Sequence, residues 1–174
     1  EQPLNLNVQL DHATVSNAET AAAEINGSID NFSWHFDAMT RNSDDYDIKG
    51  YADEDEREDK GRLVNSDVDT DNYAIGGSII NENYLFGLSF SKLDSDYGLP
   101  GGHGHHEEEE ADVRVDLKQK RYDAHLEWFQ PFANIESILL RSTFNDYRHH
   151  ELEGDGGEIA TTFNNESWDT RLEF

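Results

Sequence analysis

Cysteine is absent from this chain of 174 residues, which removes disulfides, thiolate metal sites and thiol nucleophiles at once and leaves the compartment open. Proline occurs 3 times and methionine once. No apolar run approaches the roughly 18 residues of a membrane helix, so any crossing of a membrane would have to be made by strands. No secretory-signal pattern is recognised either. Positive charge is scarce, with 13 Lys and Arg against 38 Asp and Glu and a formal net charge of -25. Such a chain repels nucleic acid and anionic lipid surfaces and concentrates cations around itself. The mean hydropathy of -0.84 would suit a disordered chain. However, 9 Phe, 7 Tyr and 3 Trp recur at regular spacing and argue for a folded one.

What is present is alternation. Leu4, Leu6, Val8 and Leu10 are set between Asn5, Asn7 and Gln9, which is a strand with one apolar face. Two more candidates, Ala21 to Ile29 and one carrying Phe32, Trp34, Phe36 and Ala38, meet at the tight Asp30-Asn31 junction. After a polar stretch, Tyr73, Ile75, Gly77 and Ile79 face Tyr84, Phe86, Leu88 and Phe90 across Asn81-Glu82-Asn83. Val113, Val115 and Leu117 run on into Tyr122, Ala124, Leu126 and Trp128 with a phase change near Lys118 to Arg121, where a bulge is expected. Ile138, Leu140, Ser142 and Phe144 follow the turn at Pro131. Ile159, Thr161 and Phe163, then Trp168, Leu172 and Phe174, make the last segment. The expected fold is all-β, an antiparallel up-and-down meander of about eight strands with no helix.

The connections sort by length. Tight ones at Asp30-Asn31, Glu82-Asn83 and Pro131 to Asn134 fall on one end of such a meander. Long ones over 43–71, 96–112 and 152–157 fall on the other. Short turns at one rim, long loops at the opposite rim and strands of about 10 residues are the pattern of a transmembrane β-barrel, with the long loops extracellular. Phe32, Trp34, Tyr84, Phe86, Trp128, Phe129 and Phe132 sit beside the tight turns, where an interfacial girdle is expected, and Tyr46, Tyr73, Tyr97 and Tyr147 mark the loop end. The alternative is a soluble β-sandwich whose aromatics fill a core.

One loop carries most of the chemistry. Gly101-Gly102-His103-Gly104-His105-His106 followed by Glu107, Glu108, Glu109 and Glu110 places three imidazoles beside four carboxylates, with glycines that let the side chains converge. Imidazole nitrogen with carboxylate oxygen suits Zn²⁺, and equally Cu²⁺ or Ni²⁺. A second cluster, His149, His150 and Glu151, closes a later strand at the same rim, although adjacent strand residues point to opposite faces and cannot readily share one metal. The remaining histidines, His12, His35 and His125, read as structural or lumen-facing. Asp67 to Asn72 superficially matches a calcium loop, but Asn72 stands where glycine is required and Ser78 where glutamate is. With Asp53 to Glu56 and Glu58-Asp59 it reads as a hydrated charge run, the lesser alternatives being loose Ca²⁺ binding or helix formation on contact. There is no nucleophile elbow, phosphate loop or His-x-x-x-His pair, so an enzyme is not expected.

Several runs resemble the barrel of TonB-dependent outer-membrane receptors: Asp96-Tyr97-Gly98-Leu99-Pro100-Gly101, Val113 to Asp123, and Thr162-Phe163-Asn164-Asn165 leading to Arg171-Leu172-Glu173. The histidine and acid loop is similar to those of the zinc-uptake subgroup, in which external His, Asp and Glu gather the metal. The resemblance implies the first part of a large barrel without its plug domain, in the outer membrane of a Gram-negative cell. Its implied partners are outer-membrane lipid, a metal-ion substrate and a TonB-type energising protein. No prosthetic group is implied, with Zn²⁺ the ligand or substrate. The rival expectations are a secreted or periplasmic β-rich metal-binding module, and a closed small barrel, adhesin or anchor, in which Leu4 to Leu10 would pair with Trp168 to Phe174.

Overall fold

Alternation becomes pairing in the order of the chain. The computed structural model describes residues 4–52, 60–100, 113–154 and 157–174. The strands are β1 (Asn5–Ala13), β2 (Ala18–Ile29), β3 (Phe32–Ser43), β4 (Tyr46–Asp47), β5 (Arg62–Leu63), β6 (Val68–Ile80), β7 (Tyr84–Leu99), β8 (Val113–Phe132), β9 (Ile135–Glu153) and β10 (Glu158–Glu173). Eight form one antiparallel sheet in the order β1-β2-β3-β6-β7-β8-β9-β10, and β4 pairs β5 in a small sheet of its own. Among the described residues there is no helix. β1 and β10 are the two edges, so the sheet is an open meander and not a closed barrel.

Directly opposed partners in antiparallel strands share a face. One line of partners therefore crosses the whole sheet on a single face: Leu6, Ile25, Phe36, Ile75, Phe90, Tyr122, Phe144 and Trp168. Every member is apolar or aromatic. The neighbouring line on the other face is Asn5, Asn26, His35, Gly76, Ser89, Asp123, Thr143 and Asp169. Here every member is polar or glycine. We call these the apolar and the polar face.

The apolar band runs obliquely to the strands. Leu6 is level with Trp168, yet β1 continues apolar through Val8 and Leu10 towards the long connections, whereas β10 continues through Leu172 and Phe174 towards the tight turns. Rings border the band on both sides. Tyr73, Phe90, Tyr122, Phe144 and Trp168 form a ladder with successive centroids 6.0, 4.9, 6.1 and 4.6 Å apart. Near the tight turns Trp128 meets Phe132 at 6.0 Å, with Tyr84 directly opposite Trp128. Aliphatic Leu88, Leu126, Leu140 and Ile79 lie between.

No core covers this band. Leu10 is 77% exposed and Trp168 73%, and no large side chain is fully buried among the described residues. Burying a Leu, Ile or Phe is worth about 1.5–3 kcal/mol relative to leaving it exposed. A face with so many of them therefore demands a cover that the sheet itself does not supply. The buried side chains among the described residues lie at the long-connection end, where Ala18 (2% exposed) and Val115 (5%) lie with buried Ser16, Ser43, Asp45, Asn65 and Ser66.

β8 corrects one expectation. Its register with β7 is continuous from Val113 to Trp128, and no bulge interrupts Lys118 to Arg121; the only irregularity against β9 is between Phe129 and Phe132. The phase change is instead an exchange of faces. Below the ladder, Tyr122, Ala124, Leu126 and Trp128 lie on the apolar face; above it, Leu117, Val115 and Val113 lie on the other. β7 switches at the same level, from Phe90 to Leu93, Tyr97 and Leu99. A regular strand needs no extra residue to change its apolar side; it needs a change of surroundings along its length. Strand pairing also runs further into the polar stretch than alternation suggests, since β6 begins at Val68 and pairs Asp69 and Asp71 with β3 and β7.

Candidate functional site

The long connections are tied together at their bases. The peptide N–H of Asp44 donates to Ser16 O (2.9 Å) and that of Asp47 to Val15 O (2.6 Å), which fastens the turn between β1 and β2 to the chain leaving β3. Asp45 is buried and accepts from three donors: the N–H groups of Ser66 (2.8 Å) and Asp67 (3.1 Å) and the guanidinium of Arg62 (2.8 Å). These bonds bring residues 62–67 back against Asp45. Asn65, held at φ 59°, then reaches across to β7 and β8. Its Nδ2 donates to Leu99 O (3.2 Å) and Val113 O (2.8 Å), the last carbonyl of β7 and the first of β8. Gly98 permits that approach, because a Cβ there would collide with the side chain and carbonyl of Asn65.

Arg114 continues the clasp. Its two terminal nitrogens donate to the two oxygens of Asp67, both at 2.8 Å, and it also contacts Asp96. A paired guanidinium holds the Asp67 carboxyl below the usual aspartate range, the hydrogen bond from Arg114 being the largest cause. The Arg114 guanidinium is correspondingly held charged more firmly than usual.

His103, His105, His106, Glu107, Glu108, Glu109 and Glu110 lie outside the described residues, as do Asp53 to Asp59. What is described is their setting. From Phe90 in the ladder, β7 continues for nine residues to Leu99, about 30 Å at the rise of a strand. The histidine segment thus joins the outer ends of β7 and β8, the two ends that Asn65 clasps.

His149, His150 and Glu151 are described, and they divide between two faces. His149 is opposite Leu117 and Phe163 on the polar face. Its Nδ1 is 2.7 Å from the Tyr147 hydroxyl, its ring lies 4.5 Å from that of Phe163, and its Nε2 is 3.9 Å from Glu151. His150 is on the other face, opposite Asp116, with Nδ1 2.8 Å from Thr162 Oγ1. Among the described residues no three His, Asp or Glu side chains converge closely enough to hold a metal ion. Both histidines nevertheless stand beside the outer part of β8, within four residues of the Val113 end that leads from the histidine segment.

Sequence reasoning missed Asn65, Asp45 and Arg114 entirely, and the glycine at position 98 was the one local hint of a close approach. It also missed a charge pattern. On the apolar face, just beyond the ladder, Lys92 is opposite Lys120 and Lys118 is opposite Arg148; one line of partners further out the residues are Asp69, Asp96, Asp116 and His150. No family model matches the chain.

Proposed function

We propose that this chain is a segment of an outer-membrane transport barrel that captures transition metal, zinc first, on its long connections, for uptake driven by a TonB-type energising partner. One observation carries the membrane half of this reading. An apolar band crosses all eight strands, is bordered by rings on both sides and has no core against it, which is the surface a bilayer covers. Its oblique course suits strands tilted in a barrel wall. The polar line of the other face suits a wetted lumen. A soluble module would need that band buried against something else.

The capture half rests on chemistry and placement. Three imidazoles and four carboxylates at 103–110, in the segment that joins the outer ends of β7 and β8, would meet cations before the barrel does, and the acidic surroundings raise the local cation concentration. The resemblance to TonB-dependent receptors agrees with both halves, as does the lack of any catalytic constellation in the sequence.

Calorimetric titration of the full chain in detergent at neutral pH tests capture, with Zn²⁺ as titrant, Ca²⁺ as control and a His103→Ala/His105→Ala/His106→Ala variant alongside. The expected result is zinc binding that disappears in the variant. Equal, weak binding of both ions by both proteins would overturn zinc capture and leave the loop a solvated acidic tether.

A further inference from the structure

We propose that His35 and His125 form a second, weak transition-metal station on the polar face, which an ion occupies after it leaves the histidine segment. The proposal rests on the transport reading above and deepens it by naming a step on the lumen side. His125 carries the observation that calls for a ligand, because its Nε2 is shielded from solvent and has no hydrogen-bond partner. A buried polar atom without a partner is costly, and here the chain itself supplies none. Register builds a hollow beside that ring. His35 of β3 and His125 of β8 stand on either side of β6 and β7, and the residues between them on this face are Gly76, Ser78, Gly87 and Ser89. None is larger than serine, which leaves an open hollow of about 330 Å³ lined by both histidines and by Ser33, Ser78 and Ser89. Gly76 sets its shape: the His35 ring lies across this glycine, and a Cβ there would collide with the ring.

The surrounding charges favour a cation. On the same face of β2, β3, β8 and β9, within one line of partners of the two histidines, Glu24, Asp37, Asp123 and Glu127 stand against Arg121 and Arg141. β10 adds Asp169 and Glu173 against Arg171. Asp123 is engaged by Arg121 and Thr143, and among the described residues no third His, Asp or Glu converges with the two rings. Each ring therefore offers one nitrogen to an ion that keeps most of its water. Arg141, directly opposite His125, loosens the hold further. Imidazole nitrogen selects Zn²⁺, Cu²⁺ or Ni²⁺ over Ca²⁺, which takes oxygen ligands. So few protein ligands let the ion leave again, as an ion in transit must.

The test uses the full chain in detergent carrying His103→Ala/His105→Ala/His106→Ala, so that the histidine segment is silent, with isotope-labelled imidazole nitrogens followed by NMR as Zn²⁺ is added. The expected result is that the rings of His35 and His125 respond at about one tenth of the zinc concentration that His12 needs, His12 being an exposed histidine on the other face. Ca²⁺ should move neither ring. Arg141→Gln should tighten zinc binding at His125 about fivefold by removing the facing charge. The proposal is overturned if His35 and His125 need as much zinc as His12, if Ca²⁺ moves them equally, or if Arg141→Gln leaves the affinity at His125 unchanged. Failure of the capture reading is read separately: calorimetry that finds no zinc binding by the histidine segment removes capture, whereas these two rings are followed with that segment already silenced.

Discussion

The two halves of the sheet, divided by the aromatic ladder, are built from the same strands in one unbroken register and yet obey opposite rules. On the tight-turn side the apolar face carries Leu88, Leu126 and Leu140, and the other face next to the ladder carries Ser89, Asp123, Thr143, His125 and Arg141. On the long-connection side of β7 and β8, the first face carries Lys92, Asp94, Lys118 and Asp116, and the second carries Leu93, Leu117, Val115 and Tyr97. Hydrogen bonding along the ladder of strands is indifferent to this exchange. What changes is the medium that each half is made for: one half presents an unburied band to an apolar cover, the other closes a small core under folded connections. The division also separates roles, because the apolar half can anchor and the charged half can meet ions.

The sharpest way to break this comparison is to put the same charge on the same face in each half. Leu126→Arg places a guanidinium in the middle of the band, where lipid-facing Arg costs about 2–4 kcal/mol. Asn164→Arg, on the same face of β10 beyond the ladder and exposed, should change stability by no more than about 0.5 kcal/mol. Urea titration of the chain folded into phosphatidylcholine vesicles, followed by tryptophan fluorescence, measures both. Equal effects at the two positions would mean that the band faces water or a protein surface.

A smaller effect is expected when the charged half is disturbed alone. Asn65→Ala removes the amide that donates to the outer ends of β7 and β8, leaving the carbonyls of Leu99 and Val113 without that partner. The expected cost is about 1–3 kcal/mol. It should appear as faster amide hydrogen exchange in residues 95–99 and 113–117, with exchange around Leu88 and Leu126 unaltered. Slowed or unchanged exchange at those two strand ends would show that Asn65 is a passenger there.

Much of this organisation was legible in the chain because it is local. Asp30-Asn31 marks a tight turn, with Asp30 at φ 54°, and period-2 alternation from Leu4 to Leu10 or from Tyr84 to Phe90 names the strand and its face together. The same alternation already implied that His149 and His150 part company. Where it misled, in β8, the error was to assume that one strand has one solvent along its length, so that a phase change had to mean an inserted residue. The clasp was illegible for a different reason. Asn65 finds its acceptors 34 and 48 residues away, and nothing in the run Leu63-Val64-Asn65-Ser66 announces them. The paired cations are likewise a product of register: Lys92 lies far in sequence from Lys120, as does Lys118 from Arg148, until pairing brings each couple side by side.

The smallest expected effect sharpens the comparison through pH. Among the described residues the apolar face between the ladder and the tight turns has no Asp and a single Glu, Glu136 at the start of β9, so acid should disturb that half little. The charged half holds Asp67 against Arg114, and its folded-state carboxyl titrates below the unfolded one. A lowered pKa stabilises the fold at every pH above the unfolded value, about 4, and the contribution is lost as pH falls through the lower folded value, because the unfolded chain then binds the proton first. Both partners are about one-third exposed, and solvent screening keeps the contribution small. The stability gap between the protein and Asp67→Asn should therefore be constant from neutral pH down to about 5 and close below about 4, with added salt narrowing it throughout. A gap that survives in acid would mean that Asp67 holds the connection through its backbone position and not through its charge.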